Sequence, residues 1–206
     1  MRKTFFLFVI LFFCVLIGHS QTAEQLTIFG HKLGDKFSIP ECPCKITKAG
    51  LVKKLYNYVP DAEIQADCFE RINATPGPKV PPVVNGFVRV LFPQSNTPEM
   101  CVTGEFQAVI VNSILAKISF DISTNDANNV LASLKEKYGS NVTVNKSKAQ
   151  NGYGATVNYF TAIWAFPYMT VTLTSNQLRN FSDPAGSVII TLQDNTKTEK
   201  KNNRGL

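Results

Sequence analysis

The chain has 206 residues, 44% of them hydrophobic and 17% charged, with 21 Lys and Arg against 15 Asp and Glu for a formal charge of +6. This is the composition of an ordinary globular chain. The surplus charge sits at the ends, with Arg2 and Lys3 at the start and Lys197, Lys200, Lys201 and Arg204 in "DNTKTEKKNNRGL" at the finish. The body between them is close to neutral, and although a basic tail could touch nucleic acid, the chain is not read as a nucleic-acid binder.

Taken in chain order, "MRKTFFLFVILFFCVLI" places two basic residues before an apolar run, and Gly18 and Ser20 follow as small residues. The run is about 14 residues, too short to cross a bilayer, so residues 1–20 are predicted to be a secretory signal peptide cleaved after Ser20. The product is expected to be periplasmic or secreted, with no transmembrane segment left after cleavage. About 186 residues would remain, enough for one full core or two small packed units.

With Cys14 lost in the leader, four cysteines remain: Cys42 and Cys44 in "IPECPCK", Cys68 and Cys101. An even count in an oxidising compartment reads as a disulfide framework. The pairing favoured here is Cys42 with Cys68 and Cys44 with Cys101, and the crossed pairing stays open. A zinc site would want paired C-x2-C knuckles or added histidines, and the mature chain has His31 alone. A thioredoxin-like centre would want C-x-x-C at a helix start, whereas this pair lies among prolines.

Residues 21–74 form a cysteine-containing N-terminal part in which "AGLVKKLYNY" is predicted helical, Leu51, Leu55 and Tyr58 recurring at helical spacing before Pro60. "TPGPKVPP" (75–82) reads as a linker to a second part, 83–193, because proline neither continues a helix nor sits inside a sheet. There "VVNGFVRVLF" is a strand, and "EFQAVIVNSILAKISFDI" is two strands about a turn at Asn112-Ser113. "STNDANNVLASLKEKYG" is a helix with capping residues at Thr124 to Asp126, an apolar stripe of Val130, Leu131, Leu134 and Tyr138, and Gly139 as its stop. A polar loop follows, then two strands about Phe166-Pro167-Tyr168 and a last strand in "SVIITLQ". The expected class is α+β, an antiparallel sheet with a helix packed on one face and a disulfide-stapled N-terminal part. Residues 194–206 read as a frayed basic tail.

"FGHKLGDKF", "IPECP" and "CF", followed by "AKISF", "VLASLKEKYG", "AIWAF" and "VTL", resemble a group of uncharacterised small exported (periplasmic) proteins of Gram-negative bacteria. The helix ending in Tyr-Gly before a Trp-bearing hairpin is also loosely similar to β-lactamase-inhibitor-like α+β modules, although the glycine-methionine turn and short helix that open those repeats are missing. The resemblance implies a bacterial product, in which the sequons at Asn73, Asn141, Asn145 and Asn180 carry no glycan.

Catalytic patterns are sparse. No G-x-S-x-G elbow, H-E-x-x-H helix or phosphate loop occurs. A hydrolase would have to be built on His31, with Asp35 to orient it, and His31 reads rather as a turn or surface residue. Glu99, Glu105, Asp61 and Glu63 read as solvated loop acids. The aromatic run about the last hairpin offers Tyr159, Phe166 and Tyr168 as a binding surface, with Trp164 expected in the core. The function expected is that of a non-catalytic binding protein of the inhibitor, immunity or envelope-accessory kind, needing no cofactor or metal. Its partner would be another protein or an envelope component. The alternatives are a thiol oxidoreductase using Cys42 and Cys44 and a structural envelope component.

Overall fold

The computed structural model describes residues 25–49, 53–72, 76–77, 80–150, 154, 156–176 and 185–193, with backbone alone at 47–49 and 53–55. The expected signal peptide and basic tail lie outside them. Among the described residues twelve strands form three antiparallel sheets, accompanied by one complete α-helix.

β1 (Thr27–Ile28) and β2 (His31–Lys32) make a minimal hairpin, and β3 (Cys44–Ala49) and β4 (Lys53–Tyr58) make a second one. The main sheet takes β5 (Cys68–Arg71), β6 (Gly86–Leu91), β7 (Glu105–Val111), β8 (Ile114–Ser123), β9 (Thr143–Gln150), β10 (Thr156–Ala165), β11 (Met169–Thr174) and β12 (Ala185–Leu192). Their spatial order is β5-β6-β7-β8-β12-β11-β10-β9, and the helix α1 (Ala127–Tyr138) lies in sequence between β8 and β9. The architecture is therefore α+β and dominated by its sheet.

Three expectations change. "AGLVKKLYNY" contributes to a hairpin, not a helix: Cys44 pairs with Tyr58 and Ile46 with Tyr56. The helical spacing loses to an anchor at the hairpin base, where Tyr58 donates from its hydroxyl to Glu41 (2.8 Å) and accepts from the Arg71 amide (3.1 Å). Arg71 grips the same Glu41 carboxylate with two bonds of 3.0 Å. The polar stretch after α1 contains β9, eight residues paired along their length with β10. Finally, β5, from the expected N-terminal part, pairs with β6 across the Pro-rich stretch, so residues 75–82 connect two neighbouring strands of one sheet.

Strand alternation divides the sheet into two faces. One carries a buried row running from Val90 through Phe106, while Ala108, Ile118, Ile190, Val171 and Trp164 continue it strand by strand. Ala127, Val130, Leu134 and Tyr138 of α1 belong to the same core, as do Ile28 and Leu33 from the N-terminal segment. Trp164 is 1% exposed, as expected of it, and its indole N–H donates to the Gly139 carbonyl at 2.8 Å. A second cluster of Cys42, Val59, Ile64, Cys68 and Leu91 packs on the other face of β5 and β6.

The turns are local decisions. Asn112 (φ 52°) and Ser113 (φ 63°) both lie in the left-handed region, the two-residue connection that matches strand twist. Phe29 (φ 52°) and Gly30 (φ 81°) do the same between β1 and β2. For a bulky Phe this backbone is costly, and its ring contacts with Phe120 (4.9 Å) and Phe92 (5.4 Å) offset the strain.

Candidate functional site: an uncovered sheet face

The face opposite the main core is covered at β5 and β6 by the Val59–Ile64 cluster, and beyond it the described residues of this face are mostly half-buried or exposed. Across that part, Arg89 stands beside Gln107, then Ser119, Ile189, Thr172 and Ile163 on successive strands. Short hydroxyl side chains dominate, with Thr170, Thr172 and Thr174 along β11 half-buried among their neighbours. Antiparallel sheets leave one face to water in this way. Here the face holds a groove of about 450 Å³ lined by Glu105, Gln107, Lys117, Ser119, Asp121 and Ser187 among others.

Glu105, in one wall, belongs to an ion cluster. Arg89 donates to Glu70 (2.5 Å) and to Glu105 (3.0 Å). The hydrogen bond to Glu70 holds the Arg89 charge more firmly than usual. Burial lifts the Glu105 carboxyl above its usual range, more than Arg89 lowers it, and Asp61 adds to the rise. An arginine shared between two carboxylates holds Glu105 in place. Two of the expected loop acids thus lie at or near this cluster, while Glu63 pairs with Lys45 at 2.6 Å.

His31 and Asp35 are not partners. Asp35 pairs with Lys32 (3.5 Å), while the His31 Nε2 lies 3.2 Å from Asp67, 36 residues on. The pair lines a separate pocket of about 610 Å³ with Ser38 and Ser95. No Ser–His hydrogen bond accompanies it among the described residues.

Cys42 and Cys68 form the expected disulfide, with Cα atoms 4.8 Å apart. Register places them: the Cys42 amide donates to Phe69 O and the Phe69 amide to Pro40 O, both at 2.8 Å, which seats residues 40–42 along the outer edge of β5. The second expected bridge is absent, since Cys44 is an exposed free thiol and Cys101 a buried one. Cys101 donates to the Glu105 carbonyl at 2.8 Å, and burial pushes its pKa up to about 11, so it is a poor nucleophile at neutral pH. No group of three His, Cys, Asp or Glu suited to a metal occurs among the described residues.

Tyr159, Phe166 and Tyr168 do not come together. Phe166 and Tyr168 stack at 5.8 Å in the β10–β11 turn, Phe166 also meets Tyr138 at 6.1 Å, and the Tyr168 hydroxyl bonds Gln25. Tyr159 is half-buried toward the other end of β10, about 20 Å away at strand rise. The groove residues were missed in the sequence because Thr, Ser and Gln on alternating positions carry no motif; the alternation in "TVTLT" is their one local signal.

No family model matches the chain, and no curated protein or solved structure is significantly similar to it.

Proposed function

We propose that the chain is an exported binding protein that acts through the uncovered face of its sheet, without catalysis, in the manner of an inhibitor, immunity or envelope-accessory protein. One observation carries this reading: a polar groove of about 450 Å³ lies on that face, with Glu105 in its wall already held by Arg89. A carboxylate held in place and paired strands suit recognition, where geometry must be held before the partner arrives. Laying α1 on the opposite face would leave this one free. The leader-like start and the likeness to small exported bacterial proteins support the same reading.

The test is site-specific photo-crosslinking in the producing cell. A photoreactive residue at Gln107 or Thr172 should trap one discrete adduct, while the same residue at exposed Glu136 on α1 should not. Identical patterns at all three positions, or none at any, would end the proposal.

A second reading rests on the thiol at Cys44, two residues from the Cys42–Cys68 bond. A thiol oxidoreductase would exchange disulfides with reduced and oxidised glutathione, and Cys44→Ser would abolish that exchange.

A further inference from the structure

The main sheet ends differently on its two sides. The outer edge of β5 is occupied by residues 40–42, whereas β9 pairs with β10 alone and its other edge meets no described strand. β9 is eight residues long, and its register with β10 runs unbroken from Gln150 to Thr143. It contains no proline and no bulge, and Ala149 alone of its residues is not exposed. A long straight edge of this kind is a template for another strand.

Lys146 and Lys148 stand on one face of β9, opposite Phe160 and Asn158. They flank a groove of about 690 Å³ that reaches Phe160 and the start of α1 at Asn128. Lysines are a common device for blunting an edge, and they select what can still join it. A second copy pairing about a two-fold axis would set its own lysines against these on the same face, a like-charge arrangement that destabilises the ladder. This chain has no segment of its own to offer. Asp61 and Glu63 are its single pair of acids two residues apart, and they sit in a 3₁₀ turn with Glu63 held by Lys45.

We propose that the outer edge of β9 takes up, as an added strand, an extended segment of another protein carrying acidic residues at alternate positions. Main-chain bonds supply the attachment, and Lys146 and Lys148 read the acids at the two-residue spacing of a strand. The proposal rests on reading the chain as a binding protein but uses a surface apart from the groove over β7 and β8.

The probe is a fluorescein-labelled eight-residue peptide alternating Glu and Thr, followed by anisotropy against the full chain, with a Lys and Thr peptide as control. The Glu peptide should bind and the Lys peptide should not. Lys146→Glu with Lys148→Glu should weaken the Glu peptide at least tenfold and admit the Lys peptide. Both side chains are exposed, so the double variant should keep its fold, checked by circular dichroism. N-methylation of alternate amides in the Glu peptide should abolish binding in at least one of the two possible phases. No binding at millimolar peptide, equal binding of both peptides, or full binding by both N-methylated forms would each overturn the proposal. Lys117→Ala, which alters the groove, should leave peptide binding unchanged; if it abolishes binding, the site is the groove and not the edge.

Discussion

Tyr138 offers the sharpest test of the packing argument. It closes α1 at 3% exposure, its ring lying 6.2 Å from Trp164 and 6.1 Å from Phe166, yet its hydroxyl has no hydrogen-bond partner among the described residues. A buried hydroxyl without a partner costs about 1–3 kcal/mol, whereas the ring itself stabilises by burial and aromatic contact. Tyr138→Phe removes the cost and keeps the ring, so it should raise stability by about 1–2 kcal/mol. At about 2–4 °C per kcal/mol for a chain of this size, Tm should rise by about 2–8 °C. Tyr138→Ala, which deletes the ring, should instead cost about 3–5 kcal/mol.

The pH dependence adds a second reading of the same residue. Burial, with Tyr168 adding to it, raises the Tyr138 pKa in the folded state far above the ordinary 10.0, so between the two values the folded chain keeps a proton that the unfolded chain loses. That contribution to stability is whole below pH 10 and falls as pH rises. The Phe variant has no such loss, and its advantage should widen above pH 10. Tyr58, pushed up to about 12 chiefly by burial, loses stability over the same window in both proteins and cancels. Guanidinium unfolding at pH 7 and pH 10.5, followed by near-ultraviolet circular dichroism, measures both. A Phe variant less stable than the wild type, or an advantage that does not change with pH, would refute the reasoning.

Other consequences are more direct. A Cβ on Gly186 would lie 2.7 Å from the Thr174 carbonyl and 2.9 Å from that of Ser175, backbone that cannot turn aside, so Gly186→Ala should lower stability by about 1–3 kcal/mol or more in denaturant titration. Ser113→Gly should add about 0.5 kcal/mol, because φ 63° strains Ser and suits Gly after Asn112; a loss of stability in the same titration would contradict the turn assignment. Among Cys42, Cys44, Cys68 and Cys101, mass spectrometry after iodoacetamide should find one label on the native protein, at Cys44, and a second at Cys101 once it is unfolded; neither thiol labelled after unfolding would mean that Cys44 and Cys101 are joined after all. Cys42→Ser with Cys68→Ser should cost about 3.5 kcal/mol by the loop-entropy model for a bridge spanning 26 residues, read from the shift in unfolding midpoint.

Where a signal is carried by neighbours in sequence, the chain could be read directly. The turn at Asn112-Ser113, the strands on either side of it, α1 with its stop at Gly139 and the burial of Trp164 follow from alternation, helical spacing and local backbone preference, which act within a few residues. The same rules say little about "TVNKSKAQ", because β9 buries almost nothing and exists through its bonds to the β10 backbone. They err at 49–58, where helical spacing is outweighed by an anchor of Tyr58, Arg71 and Glu41 drawn from three segments. Burial works to raise the Glu41 carboxyl, yet the hydrogen bonds from Arg71 and Tyr58 prevail and hold it below its usual value, a measure of how much that assembled contact contributes.

The choice of partner belongs wholly to tertiary structure. Cys42, Cys44, Cys68 and Cys101 are equivalent in sequence, but only strand register sets Cys42 beside Cys68 and leaves Cys44 in water and Cys101 in the core. His31 has an aspartate four residues on and pairs with one 36 residues away. The polar groove has no counterpart in any contiguous stretch, since its lining comes from Thr103 and from β7, β8, β11 and β12. Local propensities determine which segments become strands. Which strands meet, and so which side chains share a surface, is settled by burying one face of a single sheet, and that energy exists only once the whole chain has assembled.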